Sequence, residues 1–306
     1  MTAPSAPASL TGISFRRAVA QDFHATYDVF LEAARDLAVT RGWPPPNRPT
    51  SPPERFLAFR ASAVRHDPDR FWVAEADGDL VGFGIAVQRE HTWYLAALHV
   101  RPAYQSRGVG AEIVRRCLAA ARADSLLIVG ADARNPVSNA LYGRFGMFPE
   151  TPLIELSGPA ESGATEILRP GAPTAGELDR FDRASLDIVR PEDHAFWGSV
   201  SSVRAFSVLR EGRTVGYAYV QADGAIGPIA VQDAADLAPA VEASIAATAE
   251  LGAKTARIRI AGAARPTIER LLDRGWRYGD AVTLVLTSAP WARWDRYVTS
   301  GADALL

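Results

Sequence analysis

Residues 98–111 read LHVRPAYQSRGVGA, a stretch that leads from a strand through a glycine-containing turn directly into a helix. The strand pattern ends at Val100 and Pro102 redirects the chain. Gly108 and Gly110 then precede the run AEIVRRCLAAARA, whose apolar residues form one helical stripe. The first backbone N–H groups of such a helix have no partner within it and lie at the positive end of its dipole. The stretch therefore predicts an anion site, most naturally for a phosphate group.

The composition indicates an ordinary globular protein. The 306 residues are 48% hydrophobic and 22% charged, and this length favours about two domains. Since 33 Lys and Arg nearly balance 35 Asp and Glu, we expect neither nucleic acid nor a membrane surface as a partner. The sequence shows no apolar run of roughly 18 residues and no signal peptide, so a cytoplasmic location is expected. The lone Cys117 cannot form an internal disulfide, and we expect no metal site.

The pattern of elements divides the chain into two domains. Residues 1–11 are expected to be a disordered arm, and residues 12–157 form the first predicted domain, with alternating strand and helix patterns. The Gly- and Pro-rich stretch 158–173 is the predicted boundary region. Residues 174–306 form the second predicted domain, which includes the C-terminal tail PWARWDRYVTSGADALL.

The order of elements in the first domain repeats in the second, which indicates an internal duplication. In both, a hairpin and a strand are followed by a long helix, a buried strand and a short helix. The residues that correspond between the two copies are Gly82 with Gly216, Val100 with Val231, and Gly146 with Gly275. The tail has no counterpart in the first copy.

Two runs in the first domain resemble the signatures of the GNAT N-acetyltransferase family. One is V-x-P-x-x-Q-x-x-G-x-G from Val100 to Gly110, and the other is NPVSNALY at 135–142 followed by FGM at 145–147. The resemblance covers residues 13–156, and the second half matches in element order. It implies an α/β (mixed α+β) fold of two tandem GNAT-like domains. Each would have a mostly antiparallel central sheet with a splayed strand pair, flanked by helices.

Other phosphate-binding loops fit residues 98–111 less well. A Walker loop requires Gly-Lys-Ser/Thr, but Ala111 and Glu112 follow the glycines here. A dinucleotide-binding fingerprint requires a third glycine where Ile113 stands. A tight turn without a ligand would explain the glycines, but it would leave Gln105 and the NPVSNALY run without a reason.

The resemblance implies that acetyl-CoA (coenzyme A) is the cofactor and that the first domain binds it. The strand before the loop would hold the pantetheine arm through free backbone groups of Leu98, His99 and Val100. The loop and the first helical turn would bind the pyrophosphate through Gln105, Ser106, Arg107, Gly108, Val109, Gly110 and Ala111. The second signature would contact the cofactor through Asn135, Asn139 and Tyr142.

Attack of an amine on a thioester needs an acid for the departing thiolate and a base for the amine. The resemblance implies that Tyr142 is the acid, since a phenol is neutral at pH 7 and can donate a proton. The strand that often carries a Glu base in this family has Ala96 and Ala97 instead. His99 and Glu90 are therefore the candidate bases, with a water relay to another carboxylate as the alternative.

The second copy departs from the cofactor signature. The residues that replace Gln105, Gly108, Gly110 and Tyr142 of the first copy are Asp236, Pro239, Val241 and Leu271. Proline has no N–H to offer a phosphate, and a valine side chain blocks close approach. The second domain is therefore predicted to be a degenerate GNAT-like domain without a working cofactor loop.

These features together predict an N-acetyltransferase that moves the acetyl group of acetyl-CoA to an amine of a small molecule or peptide by direct attack. The chain would act as a monomer, its two copies forming a pseudo-dimer, or as a homodimer. Two alternatives stay open: a non-catalytic acyl-CoA sensor, and transfer of another acyl group by an enzyme similar to the tandem mycothiol synthases. The Pro-rich stretch 42–53, with Trp43 and Arg48, is expected either to shape the acceptor pocket or to be a solvated loop.

Overall fold

The computed structural model describes residues 10–40, 42–44 and 48–300. The predicted arm at 1–11 lies, up to Ser9, outside the described residues. The chain forms two compact units, Met1–Ser125 (unit 1) and Leu126–Leu306 (unit 2). Within the described ranges, no helix combines the length and the apolar character that crossing a membrane requires.

Unit 1 contains an antiparallel sheet whose strands follow one another in chain order. The strands are β1 (Ser14–Arg17), β2 (Phe71–Ala76), β3 (Asp79–Arg89) and β4 (Thr92–Val100), each paired with the next. The helices are α1 (Phe23–Thr40), α2 (Glu54–His66) and α3 (Val109–Leu118). The predicted Asp-Gly turn joins β2 to β3, and Asp77 and Gly78 both have positive φ, as a tight hairpin turn requires.

Alternate residues of β3 face opposite sides of the sheet, and the helices that pack on the two sides differ. Phe83 and Ile85 are fully buried and pack with residues of α1 and α2. Gly82 and Gly84 face α3, and a Cβ added to Gly84 would lie 2.4 Å from Cγ2 of Ile113. The two glycines therefore let α3 lie close against the sheet.

Replacing Gly84 with alanine is expected to lower the unfolding free energy of unit 1 by about 1–3 kcal/mol, because Ile113 and α3 must move. Hydrogen exchange of the α3 amides measures the change. Gly176→Ala is the control, since a Cβ added there meets nothing within 4 Å. Alanine at this helical position should stabilise the protein by about 0.5–1 kcal/mol. Unchanged exchange in Gly84→Ala would contradict the close packing of α3.

Unit 2 contains a longer sheet whose strands do not follow chain order. They are β5 (Leu126–Asp132), β6 (Phe148–Pro159), β7 (Leu168–Pro170), β8 (Val203–Arg210), β9 (Arg213–Gln221), β10 (Ala225–Val231), β11 (Thr255–Ala261), β12 (Arg277–Thr287) and β13 (Tyr297–Val298). The spatial order is β5, β12, β6, β11, β10, β9, β8, β7, and β13 pairs with β10. The helices are α4 (Pro136–Arg144), α5 (Ala175–Leu186), α6 (Pro191–Ser199), α7 (Leu237–Glu250) and α8 (Arg265–Asp273). Since β10 and β11 are parallel and the neighbouring pairs antiparallel, the predicted mixed, mostly antiparallel architecture is confirmed.

The last strands of the two copies, β6 and β12, exchange neighbours. β12 lies between β5 and β6, while β6 pairs with β11, for example Leu156 with Ile258. Strands of both copies therefore belong to unit 2. For this reason the division between compact units falls after Ser125 and not within 158–173. The domain bounds inferred from the repeat stay a prediction.

The two copies contain matching hairpins. Gly82 lies opposite Val100 in unit 1, and Gly216 lies opposite Val231 in unit 2. These are the residues that correspond in the sequence repeat. The duplication is therefore visible in the strand register itself.

Candidate functional site

Two residues in the left-handed region shape the connection between β4 and α3. Ser106 has φ +60° and Gly108 has φ +89°, and Gly108 immediately precedes the first residue of α3. Glycine adopts this conformation without the strain that a Cβ introduces. The predicted sequence of strand, glycine turn and helix is confirmed.

The first turn of α3 offers unpaired backbone donors. In the described part of the chain, no acceptor pairs with the N–H groups of Val109, Gly110 and Ala111, and Gly108 has no side chain to cap them. Pairing begins at Glu112, whose N–H donates to the Gly108 carbonyl oxygen at 3.0 Å. Adjacent N–H groups at the positive end of a helix are suited to bind phosphate oxygens.

Polar contacts hold the loop against the end of β4. Gln105 Nε2 donates to the Val100 carbonyl oxygen at 3.0 Å, and the Gln105 N–H donates to the Pro102 carbonyl oxygen at 3.1 Å. The guanidinium of Arg107 lies 5.2 Å from the centroid of the Tyr104 ring. Gln105 thus positions the loop, and the exposed Arg107 adds a positive charge to it.

The predicted pantetheine-binding residues of β4 alternate between the two faces of the sheet in unit 1. Leu98 and Val100 lie opposite the glycines of β3 on the face that packs against α3. His99 faces α1, and its ring centroid lies 5.0 Å from that of Phe30 and 5.3 Å from that of Phe83. The imidazole is therefore oriented by aromatic neighbours.

Glu90, the other predicted base, lies far from His99. It is in the turn between β3 and β4, with φ +47°. At about 3.3 Å per residue, the strand from Thr92 to His99 spans roughly 23 Å. His99 lies near the end of β4 that leads to the loop, and Glu90 lies beyond the opposite end.

The second signature forms the turn from β5 into α4, in unit 2. Asn135 caps α4, because its Oδ1 accepts a hydrogen bond from the Ser138 N–H at 3.3 Å. Asn139 Nδ2 donates to the carbonyl oxygens of Asp132 and Ala133 at 3.2 and 3.3 Å. Both asparagines therefore have a local structural role, which fixes the start of α4.

Tyr142 lies on α4 and is 6% exposed. Burial raises the pKa of its phenol well above the usual value for tyrosine, so the hydroxyl keeps its proton. Among the described residues, this hydroxyl has no hydrogen-bond partner. A neutral phenol whose hydroxyl makes no other hydrogen bond can act as a proton donor.

The matching connection in the second copy is shorter. Residues 232–236 link β10 to α7, whereas residues 101–108 link β4 to α3. Asp236, the residue before α7, is buried, and its Oδ1 accepts a hydrogen bond from Arg210 Nη1 at 3.0 Å. Pro239, which lacks an N–H, lies in the first turn of α7. A carboxylate beside the helix start disfavours a second anion there.

A surface cavity of about 490 Å³ opens in unit 1 between α1 and the beginning of the loop. Its lining residues are Asp28, Leu31, Glu32, Arg35, Asp36, Val39, Arg101 and Pro102. Glu32 and Arg101 form an ion pair there. Because carboxylates outnumber guanidinium groups in this lining, the cavity is a poorer site for phosphate than the start of α3.

Unit 2 contains a buried polar cluster that was not predicted from the sequence. Its centre is Asp182 on α5, which is fully buried. Asp182 Oδ1 accepts from Arg190 Nε at 3.1 Å and from the Tyr217 hydroxyl at 2.6 Å. Its Oδ2 lies 2.8 Å from His194 Nε2. Arg190 Nη1 also donates to the Tyr297 hydroxyl at 3.1 Å, which links the cluster to β13.

Charge pairing keeps Asp182 ionised. Burial by itself would raise the pKa, but the Arg190 guanidinium and the hydrogen bond from His194 hold the pKa of this carboxyl below its usual value. The sequence signal was a charged residue on the buried face of α5, next to Phe181 and one helical turn before Ser185 and Leu186. The described residues contain no group of His, Cys, Asp or Glu side chains arranged to hold a metal ion.

The sequence model described as the acetyltransferase (GNAT) family matches residues 32–147. This range contains the loop between β4 and α3 as well as the whole of α4. It also includes both of the signatures identified in the sequence. A comparison with curated protein sequences gives no match.

Solved structures resemble the chain along most of its length. A protein from Pyrococcus horikoshii described as a candidate acetyltransferase has a TM-score of 0.74 at 17% identity, with 94% of each chain covered. A GCN5-related N-acetyltransferase from Sphaerobacter thermophilus has a TM-score of 0.59 at 15% identity, with 94% of this chain and 96% of that chain covered. A tandem GNAT protein from the clavulanic acid biosynthesis pathway has a TM-score of 0.59 at 15% identity, with 91% and 99% covered. At these identities the likeness shows a shared fold.

Proposed function

The chain carries a GNAT acetyltransferase domain at residues 32–147, and from this premise we propose that it transfers the acetyl group of acetyl-CoA to an amine. The observation that carries the proposal is the start of α3. There the N–H groups of Val109, Gly110 and Ala111 are unpaired, and Gly108 has no side chain that could cap them. The acceptor would be an amine of a small molecule or a peptide.

The charges around this loop favour the pyrophosphate of coenzyme A. Residues 101–108 contain no acidic side chain. Arg101 is paired with Glu32, whereas the exposed Arg107 adds its positive charge to the loop. Glu112, in the first turn of α3, forms ion pairs with Arg115 and Arg116, which offset its charge. In the second copy, Asp236 stands immediately before α7 instead. We therefore assign the cofactor to the first copy.

The reaction makes a C–N bond and breaks a C–S bond. The amine nitrogen attacks the thioester carbonyl carbon, the thiolate leaves and takes up a proton, and the amine loses one. We assign Tyr142 as the proton donor, because its phenol is kept neutral by burial. We assign His99 as the group that takes the amine proton, directly or through water, since an imidazole can accept a proton near neutral pH. Glu90 has no part in this assignment, given its place beyond the far end of β4.

Gly108→Pro/Gly110→Val is expected to lower the affinity for acetyl-CoA at least about 100-fold, because hydrogen bonds to a charged phosphate are worth about 1.5–3 kcal/mol each. Proline cannot adopt the φ of +89° found at Gly108, and valine adds a side chain where the phosphate would approach. Titration calorimetry measures the affinity and should find one acetyl-CoA per wild-type chain.

Pantetheine, which lacks the pyrophosphate, is the matched control ligand, and the double variant should bind it as the wild type does. Circular dichroism confirms that the variant is folded. A wild-type protein that binds no acetyl-CoA would refute the proposal. Binding without release of free thiol across a panel of primary amines would instead support the sensor alternative.

A further inference from the structure

A gap opens between β10 and β11 in unit 2. The two strands run parallel for two residue pairs, Ala225 with Arg257 and Ile226 with Ile258. The register of β10 then shifts by a bulge between Ile226 and Ile229. Because a bulge bends a strand, the rest of β10 separates from β11 and needs other partners for its backbone groups.

The C-terminal segment 296–300 fills this gap. Its β13 runs antiparallel to β10, and the paired residues are Ile229 with Val298 and Ala230 with Tyr297. The Val231 N–H also donates to the Arg296 carbonyl oxygen at 3.1 Å. On the other side, Thr299 bridges to Arg259 of β11. The segment thus acts as an inserted strand between two strands that have separated.

The segment 296–300 is closely packed within the gap. Tyr297 and Val298 are fully buried, and Thr299 is 1% exposed. A Cβ added to Gly227 would lie 2.1 Å from the Thr299 carbonyl oxygen, so a glycine is required there for the segment to fit. Arg190 further holds the Tyr297 hydroxyl. The segment is therefore part of the core of unit 2.

β10 and β4 correspond residue by residue. Each contains one bulge near its end: it leaves Ala96 unpaired in β4, four residues before Val100, and it lies at Gly227 and Pro228 in β10, four and three residues before Val231. Counted back from those ends, the residues of β10 that pair with β13 correspond to Leu98 and His99. These are the residues at which the family resemblance places the pantetheine arm.

We propose that residues 296–300 occupy the second copy of the cofactor cleft and close this copy to coenzyme A. The inference rests on the proposed function, which assigns coenzyme A to the first copy. The chemistry of the two occupants matches, since pantetheine and an extended peptide are both narrow chains whose amide groups can pair with a strand edge. The ligand class of this cleft is therefore an extended, amide-containing chain, and its native occupant is the protein's own C-terminal segment.

The wild-type protein provides the first test. Calorimetry should find one acetyl-CoA per chain, and hydrogen exchange of residues 297–300 should be slow and unaffected by saturating acetyl-CoA. Two acetyl-CoA per chain, or exchange of this segment accelerated about tenfold or more by acetyl-CoA, would overturn the inference.

Val298→Asp in the full chain tests whether the cleft accepts pantetheine once it is open. A buried carboxylate without a partner should expel the segment, so that its exchange accelerates at least about tenfold and trypsin cleaves after Arg296. Pantetheine should then slow the exchange of residues 229–231 in this variant and have no effect on them in the wild type. Val39→Asp is the control, because Val39 is 71% exposed. If the segment is expelled in Val298→Asp but pantetheine does not slow the exchange of residues 229–231, the inference is overturned.

Gly227→Ala provides a second route if Val298→Asp does not fold. The added Cβ cannot coexist with the Thr299 carbonyl oxygen, so the segment should again exchange faster and become cleavable after Arg296. Gly252→Ala is the control, since Gly252 also has positive φ but a Cβ there meets nothing within 4 Å. Unchanged exchange in a folded Gly227→Ala protein would overturn the inference. If the wild type binds no acetyl-CoA, the proposed function is refuted. The effect of pantetheine on the exchange of residues 229–231 in Val298→Asp would still decide this inference.

Discussion

Replacing Asp182 with alanine is expected to lower the unfolding free energy of unit 2 by about 3–5 kcal/mol, the usual result of breaking a buried ion pair. The substitution leaves the guanidinium of Arg190, which is 1% exposed, without its carboxylate. It also removes the acceptor for the hydroxyl of Tyr217 and for His194. Native-state hydrogen exchange of β9 and β10 measures the free energy for unit 2 alone.

Two variants control for this effect. Asp179→Ala changes a carboxylate on the same helix that is not buried, and it should alter the free energy by less than about 0.5 kcal/mol. Asp182→Leu/Arg190→Met removes both charges together and should recover most of the loss, because no buried charge is left unpaired. A loss below about 1 kcal/mol in Asp182→Ala would show that the cluster contributes no more than a typical contact.

The same pair predicts a pH dependence. The pKa of Asp182 is lower in the folded protein than the value of about 3.9 expected for the unfolded chain. Its stabilising contribution is therefore complete above about pH 4 and is lost as the pH falls through the folded pKa. The difference in stability between wild type and Asp182→Ala should accordingly narrow below pH 4. A difference that stays constant down to acid unfolding would contradict the assignment of the effect to this carboxylate.

Local features of the fold could be predicted from the sequence because they depend on neighbouring residues. The turn at Gly108 follows from the need for a left-handed residue between β4 and α3, and the Asp77-Gly78 hairpin follows from the same requirement. The correspondence of Gly82 with Gly216 anticipated the register of both hairpins. For the candidate site, the unpaired N–H groups at the start of α3 were predictable for the same local reason.

Features that depend on distant parts of the chain could not be predicted. The placement of β12 between β5 and β6 depends on which strand edges are free, which a hydrophobic pattern does not report. The position of β13 depends on a gap that forms after the bulge in β10. The Asp182 cluster joins residues from α5, α6, β9 and β13, and its single sequence signal was one charge on the apolar face of a helix.

Tyr142→Phe is expected to lower kcat about 10²- to 10⁴-fold, the usual contribution of a positioned general acid. The phenyl ring keeps the packing of a side chain that is 6% exposed, so the affinity for acetyl-CoA should remain near that of the wild type. The release of free thiol from acetyl-CoA, in the presence of an amine that the wild type acetylates, measures kcat. Calorimetry measures the affinity for acetyl-CoA.

The pH profile and a control variant separate an acid role for Tyr142 from a structural one. Because burial raises its pKa, deprotonation of Tyr142 should not reduce kcat until the pH is above about 10, the usual value for tyrosine. Tyr278→Phe, which removes the hydroxyl of a 54% exposed tyrosine in the same unit, should leave kcat unchanged. Equal turnover by Tyr142→Phe and wild type would exclude Tyr142 as the acid and would require the departing thiolate to be protonated by water or by the acceptor's own ammonium group.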